Sequence, residues 1–569
     1  MRTRSTAMHC FPHTVPLLLL LVVLVYTTVG CLASAGHLCN NDKITRRADM
    51  QPIAVVREMP QGRKRGAWQA YTASVGNSED GWTPLRIYVS TRDLENDEKY
   101  CVAEDEMRPT FRGSEMHCTE GDLFTMQKKR ELIDHIIPTA IKLHTDRLLV
   151  QRDTTNAILT ALKTIQSNTA CRYFTIPQEH VDNGVEDADM VLYFASGPGE
   201  TFAVTCATLE KGGRPIVGAM NFRMSDVFAA SIAARVAAHE IAHALGFNYK
   251  MMREKNMLSE SYSVRGKTDV KLVISDKTKE EAQKHYKCEN LKGMELEEEE
   301  DSHNEGSSHW ERRNAKDELM SPIRGGNSAM YYTALTLAAF ADMKFYKANF
   351  TMAETMTWGK DAECDFLEEK CMENGVTKYP GMFCSDTSSI TSQTHCTSDR
   401  RGVGYCAISN SHYNLPNHFQ YFWSPNTGGE VSSLTDYCPV IEPFPRGMCS
   451  DPDIIYAPGS RRGKSSWCLD GDSLQVYNDE AFLEEHKVTV AGVCVEVFCS
   501  QQSVKVRYHG NEDWYHCPEG SFITPNSSTF AGGRIKCPKR SEVCMIAPSG
   551  RSNVLRERDA KSQKNLKKK

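Results

Sequence analysis

The chain is 569 residues long, enough for three or four units of roughly 100–200 residues each. Hydrophobic residues make up 40% and charged residues 25%, the balance of a globular protein, which excludes a fibrous or wholly disordered chain. A net charge of -6 leaves no electrostatic footprint for nucleic acid, so that class of partner is excluded as well.

At the N-terminus Arg2 and Arg4 precede the apolar run VPLLLLLVVLVYTTVG (Val15 to Gly30), and the small residues Ala33-Ser34-Ala35 follow it. The run is short for a membrane span and a cleavage site follows, which predicts a secretory signal peptide over 1–35. The mature chain then meets an oxidising compartment. Of 21 cysteines, Cys10 and Cys31 lie in the signal and Cys39 just beyond it, leaving 18, an even number that allows nine disulfides. Connectivity does not follow from spacing, although Cys101 with Cys118 and Cys171 with Cys206 could close local loops.

Residues 36–80 carry many charges, few apolar clusters and the basic run Arg63-Lys64-Arg65, the texture of a prosegment with a protease-accessible linker. From residue 81 the pattern becomes regular. Leu85 to Ser90 alternates like a strand, and Cys118 to Val150 predicts one long helix capped by Thr119. Asp189 to Ser196 and Pro215 to Phe222 read as buried strands, and an alanine-rich helix runs from about Ser225 to Leu245, closed by Gly246. Further on, the acidic run Glu295 to Asp301 predicts a solvated loop. From Cys364 onward thirteen cysteines stand among Gly, Ser, Asn and Pro residues, as in a disulfide-stapled, loop-rich domain. Residues 546–569 predict a basic, disordered tail, and no internal repeat is visible.

The chemistry is concentrated in HEIAHALGF, residues 239 to 247. His239 and His243 are four apart, so both imidazoles lie on one helical face and can reach one zinc ion, with Glu240 placed as general base for a water. Gly246 has the spacing at which such a helix turns back toward a third histidine, yet the position for that histidine is Tyr249. A catalytic zinc needs three protein ligands and one open position. His285, His303 and His309 are the downstream candidates, and only His309 precedes a Leu-Met-Ser-Pro turn, which carries Met320. A methionine turn below the zinc histidines is the second mark of metzincins.

With these motifs the chain resembles the leishmanolysin family, surface metalloproteases of trypanosomatid parasites. The segments LRIYVSTRDL, IPTAIKLHTDRL, YYTALTLAAFADMKFY, MTWGKDAECDFLEEKCME, DYCPV and GGRIKCP carry the likeness along nearly the whole chain. The resemblance implies that His309 is the third ligand of one zinc ion per chain, after an insertion from Phe247 to Ser308. It also implies that Met320 forms an apolar base without ligating the metal. In such proenzymes a His-x-Cys motif closes the open zinc position, and here His37-Leu38-Cys39 matches it, making Cys39 a latency switch. The implied fold is α+β. It comprises a metzincin-type α/β sheet domain with the zinc helix (81–248), a central domain with the third histidine and Met-turn (249–366), and a disulfide-rich domain of strands and loops (367–545).

Substrate is expected to add as a strand to an exposed sheet edge just before the zinc helix, at Ile216 to Asn221, with Gly218, Ala219 and Asn221 as contact residues. His135, His144, His285 and His303 read as surface or satisfied histidines, and Asn349 and Asn526 open N-glycosylation patterns. The chain carries no apolar run after Cys544, hence no lipid-anchor signal, so a soluble secreted or lumenal protein is expected where the family suggests the cell surface. The resulting expectation is a latent, broadly specific zinc metalloendopeptidase acting on proteins and peptides. Host-cell or extracellular-matrix proteins are further expected partners. The competing expectation is a non-catalytic adhesin on the same fold, against which the intact Glu240 speaks.

Overall fold

The computed structural model describes residues 54–56, 81–152, 157–165, 170–209, 213–223, 230–298, 307–322, 328–386, 394–451, 457–477, 487–500 and 503–554. The expected signal peptide, Cys39, Arg63-Lys64-Arg65 and His303 lie outside the described residues.

In chain order the first half comprises β1 (Ala54–Val56), β2 (Trp82–Pro84), β3 (Ile87–Ser90), α1 (Met126–Glu131), α2 (Ile137–Thr145), β4 (Leu148–Gln151), α3 (Ala157–Ile165), β5 (Met190–Ala195), β6 (Phe202–Leu209), β7 (Pro215–Asn221) and α4 (Ala230–Ala244). A five-stranded sheet has the order β1-β6-β7-β5-β3. β3, β5 and β7 are parallel, β6 runs antiparallel to β7, and β1 runs parallel to β6.

The strand sequences explain why the sheet is buried on both faces. In β5, Met190, Leu192 and Phe194 join the core that includes Ile137, Ile141 and Ile241. Val191, Tyr193 and Ala195 join a second cluster under α3 with Ala161, Leu162 and Ile165. Successive residues point to opposite faces, so a strand between two helical layers must be apolar at every position.

The expected helix over 118–150 is shorter and interrupted. Thr119 caps a single 3-10 turn, and the helix proper begins after Thr125, whose side chain accepts from Lys128 N. A π turn spans Leu132–Ile136 just before Pro138. Proline has no N–H and crowds the carbonyl four residues back, and the wider turn relieves both conflicts. Residues 148–151 form β4 rather than a last helical turn, pairing with β2 and with Lys347–Ala348. Leu148 and Val150 are buried and Gln151 exposed, an alternation that also satisfied the helical spacing.

Beyond α4 follow α5 (Asp276–Tyr286), α6 (Arg312–Ala315) and α7 (Ala334–Asp342). A six-stranded antiparallel sheet dominates the C-terminal part, in the order Tyr515–His516, Val504–Arg507, Lys487–Cys499, Ser466–Tyr477, Phe530–Lys536, Phe522–Ile523. Nine disulfides pair all the described cysteines, including both expected local pairs, Cys101–Cys118 and Cys171–Cys206. The result is a mixed α and β protein in which one continuous buried cluster includes Leu85, Ile241, Met320, Trp358 and Ile546.

Two expectations are corrected here. The acidic run is not solvated at its start, because Glu295 and Glu297 are buried. Glu295 pairs with Arg265 and Lys267 and accepts from Asn314, so the charges that would repel in water are matched by cations brought from a hairpin. The tail also begins later than 546. Ile546 bridges Ser552, both are buried, and the Gly550 carbonyl accepts from Arg235 Nε of α4 at 2.8 Å.

Candidate metal centre

α4 is buried along its length because alanines occupy most of its faces, letting strands, helices and the C-terminal segment approach closely. It ends in a Schellman turn. Phe247 N donates to Ala242 O and Gly246 N to His243 O, each at 3.0 Å, with Gly246 at φ +106. A left-handed backbone at that position calls for glycine. The turn returns the Phe247 carbonyl to His243 Nδ1 at 2.7 Å, so the residue after the stop signal orients a histidine inside the helix.

His239 makes the equivalent contact over a longer route, its Nδ1 lying 2.6 Å from the Leu319 carbonyl. His309 Nδ1 is 3.1 Å from Ser307 Oγ. His309 is placed by flanking backbone: Glu297 N donates to its carbonyl, and Trp310 N donates to the Met320 carbonyl. The Trp310 ring packs edge-on against Phe247 with centroids 5.1 Å apart, tying the third histidine to the end of α4.

With each Nδ1 occupied by an oxygen, each Nε2 is left to face the others. His243 Nε2 lies 3.1 Å from His239 Nε2 and 3.2 Å from His309 Nε2, and all three rings are buried. The backbone carbonyls behind His239 and His243 accept a hydrogen bond from Nδ1–H, which leaves the ring lone pair on Nε2. Converging lone pairs repel unless a cation lies among them. On a tetrahedral centre with nitrogens at about 2.0–2.1 Å, two ligands stand about 3.3–3.4 Å apart, close to the separations seen here. The donor set therefore fits a divalent metal that accepts imidazole.

Glu240 is fully buried, and its Oε2 accepts the Ala203 N–H of β6 at 3.1 Å. Met320 is buried in the turn that supplies the Leu319 carbonyl to His239. Beneath that turn Glu318 accepts from Met320 N with one oxygen and from Thr333 N and Oγ1 with the other. Burial pushes its carboxyl up to about 7. Arg235 lies one turn before His239, with Nη1 and Nη2 on the Glu354 carboxylate at 2.5 and 2.8 Å. Sequence reasoning missed Glu318, Arg235 and Glu354. The available signal was a single arginine in an otherwise small, apolar helix, four residues before a ligand.

The other singled-out residues fall elsewhere. Gly218, Ala219 and Asn221 lie on β7, an interior strand with β5 and β6 bonded on its two sides, so the expected substrate edge is not there. Gly218 answers to packing: a Cβ would lie 2.7 Å from Met190 Cε and 3.2 Å from Ala244 Cβ, where α4 rests on the sheet. Asn221 ties the loop before β6, accepting from Gly197 N and donating to Glu200 O.

His285 Nε2 bonds the Trp358 carbonyl at 2.9 Å, His144 is buried with Nε2 on the Ala238 carbonyl, and His135 is exposed. Asn526 is exposed and Asn349 half-buried. Two further groups of potential ligands, among the described residues, are already committed. Cys288 and Cys364 are joined in a disulfide, and Glu295, Glu311 and Asp436 surround the Lys267 ammonium.

Comparison with known proteins agrees with this geometry. The sequence profile of the leishmanolysin family matches residues 37–550. Leishmanolysin of Leishmania donovani is 35% identical over 483 residues, covering 81% of this chain and 78% of the relative. Leishmanolysin of Leishmania amazonensis is 32% identical over 555 residues, covering 92% and 90%. A leishmanolysin-like peptidase of Drosophila melanogaster is 28% identical over 329 residues, covering 46% and 47%. With a family match that spans the histidine cluster, the zinc-type helix and the C-terminal disulfides alike, the chain belongs to the leishmanolysin family of metalloproteases.

Proposed function

We propose that the protein is a zinc metalloendopeptidase in which His239, His243 and His309 hold one zinc ion and Glu240 is the general base. The convergence of the three Nε2 atoms, with Glu240 next to the first ligand, carries this reading. Zinc bound there would act as a Lewis acid on a peptide carbonyl and lower the pKa of a water toward about 7. Glu240 takes the proton as the water attacks and returns it to the leaving amine. The Ala203 N–H donates to one Glu240 carboxylate oxygen and so fixes the carboxylate's orientation beside the histidines. Met320 closes the site from below with an apolar, non-ligating side chain.

The finer parts of the reading follow from the same chemistry. Cys39 supplies a thiolate that blocks the open metal position until residues 36–80 are removed. Substrate recognition through backbone hydrogen bonds gives broad specificity toward extended proteins and peptides. The enzyme is secreted or displayed at the cell surface, divided at 81–248, 249–366 and 367–545, glycosylated at Asn349 and Asn526, and available to host-cell or matrix proteins. Among the described residues no helix is long and apolar enough to cross a membrane.

The test is hydrolysis of an unfolded protein by secreted, prosegment-free protein, with and without a zinc chelator, beside Glu240→Ala. Wild type is expected to cleave and to stop on chelation. The variant is expected to keep its zinc and lose about 10²–10⁴-fold in rate, the usual contribution of a general base. Folded, zinc-loaded protein that cleaves nothing across a broad panel would overturn the reading and leave the adhesin in its place.

A further inference from the structure

The outer edge of β6 runs from the metal centre to a strand belonging to the expected prosegment. At one end the Ala203 N–H is turned away from β7 and donates to Glu240. Thr205 Oγ1 donates to the Ala244 carbonyl at 2.9 Å, so α4 lies directly under this edge. Four residues beyond Ala203 the edge is occupied. Ala54, Val55 and Val56 pair in parallel with Ala207, Thr208 and Leu209. The spacing is about 13 Å at about 3.3 Å per residue.

We propose that residues 54–56 are a latency element separate from the Cys39 thiol: strand addition to β6 anchors the prosegment and withholds from extended peptides the edge that leads to Glu240. The proposal rests on the reading of 36–80 as a prosegment and of Glu240 as the base. Three features support it. The pairing is parallel, so Ala54 is the end of β1 nearer Glu240. Cys39 is fifteen residues upstream of Ala54, a reach of up to about 50 Å, well beyond the roughly 13 Å between the paired stretch of β6 and Ala203. A short tether of this kind raises the local concentration of the thiol to the order of mM.

The second feature is the strand's length. Three residues in parallel register make a weak pair, held mainly because it is intramolecular. Cutting the chain after β1 would remove that advantage and free the edge. The third is the alternative: bared, β6 presents unpaired backbone groups, which either bind an extended peptide or invite aggregation.

The experiment compares full-length, zinc-loaded zymogens: wild type, Val55→Pro, Cys39→Ala and the double variant. Proline deletes a backbone N–H in β1, and replacement of residues 54–56 by three glycines serves if it misfolds. Leu209 N donates to the Arg214 carbonyl on the β7 side, so the reporter is the Thr208 amide, whose hydrogen exchange is expected to accelerate about tenfold or more in Val55→Pro with β5 and β7 protection unchanged. Equal exchange in wild type and both strand variants would overturn the pairing. Peptide hydrolysis by the double variant is expected to exceed that of Cys39→Ala alone. If strand variants speed exchange without raising hydrolysis, β1 is only an edge cover and the latency role falls. Exchange is read on protein that need not cleave anything, so failure of the protease reading would leave the strand answer intact.

Discussion

At the scale of single residues, the metal site is made by what lies behind each histidine. His239 and His243 lean on backbone carbonyls, which no side-chain substitution removes, whereas His309 leans on the Ser307 hydroxyl. Ser307→Ala should therefore weaken metal binding about 10-fold, within the range for lost orienting partners, as read by chelator competition. An unchanged affinity would show that the hydroxyl does not orient the ring. His144 is a second case of a neutral, fully bonded ring: Nε2 lies 2.8 Å from the Ala238 carbonyl and Nδ1 3.1 Å from the Tyr332 hydroxyl. Burial lowers its pKa to about 3. In the unfolded chain it protonates below about 6.5, so unfolding takes up a proton between these values. Its stabilising effect is whole above about pH 6.5 and fades as pH falls toward the folded value. The gap in Tm between wild type and His144→Gln should accordingly narrow from about pH 7 to about pH 4. A gap that widens would show that the charged ring is accommodated.

At the scale of elements, the close of α4 does two jobs with one glycine. The left-handed turn at Gly246 ends the helix and delivers the Phe247 carbonyl to His243. Gly246→Ala has tolerable space, with Pro215 Cγ at 3.4 Å, so its cost is mainly backbone strain. The variant should lose about 1–2 kcal/mol in urea unfolding and bind metal more weakly than wild type. Loss of stability with unchanged metal affinity would separate the two jobs. This element was legible because its determinants are local: alanine-rich periodicity, two histidines four apart and a glycine stop. The neighbouring helix was less so, since Leu148 and Val150 satisfy both helical and strand spacing and only their pairing partners decide between them.

At the scale of the whole molecule, one buried carboxylate links four distant segments. Glu354 accepts from Arg235 of α4, from the Tyr332 N–H and, at 3.5 Å, from Arg147 after α2, while Arg235 also reaches the Gly550 and Met330 carbonyls. Burial works against the charged carboxylate, but the two arginines outweigh it and hold its pKa below the usual range. Glu354→Ala would strand two buried cations, a change that costs about 3–5 kcal/mol, measurable by denaturant unfolding. A cost below about 1 kcal/mol would show that water replaces the carboxylate. The Tyr331 carbonyl, next to Tyr332, accepts from Leu319 N, and the Leu319 carbonyl orients His239, so the variant should also weaken metal binding.

The sequence by itself determined what arises within a few residues: the α4 histidines at i and i+4, the glycine that ends the helix, the buried strands and an even set of cysteines. Its resemblance to a family added His309 and Met320. Only the tertiary structure decided that β7 is an interior strand between β5 and β6, that Glu295 is buried against Arg265 and Lys267, and which cysteines pair. It also decided that Leu319 and Phe247 supply the carbonyls behind His239 and His243. The division is physical. Period, propensity and capping act between near neighbours and are written in local order, whereas register, charge pairing and orienting bonds depend on which remote segments meet.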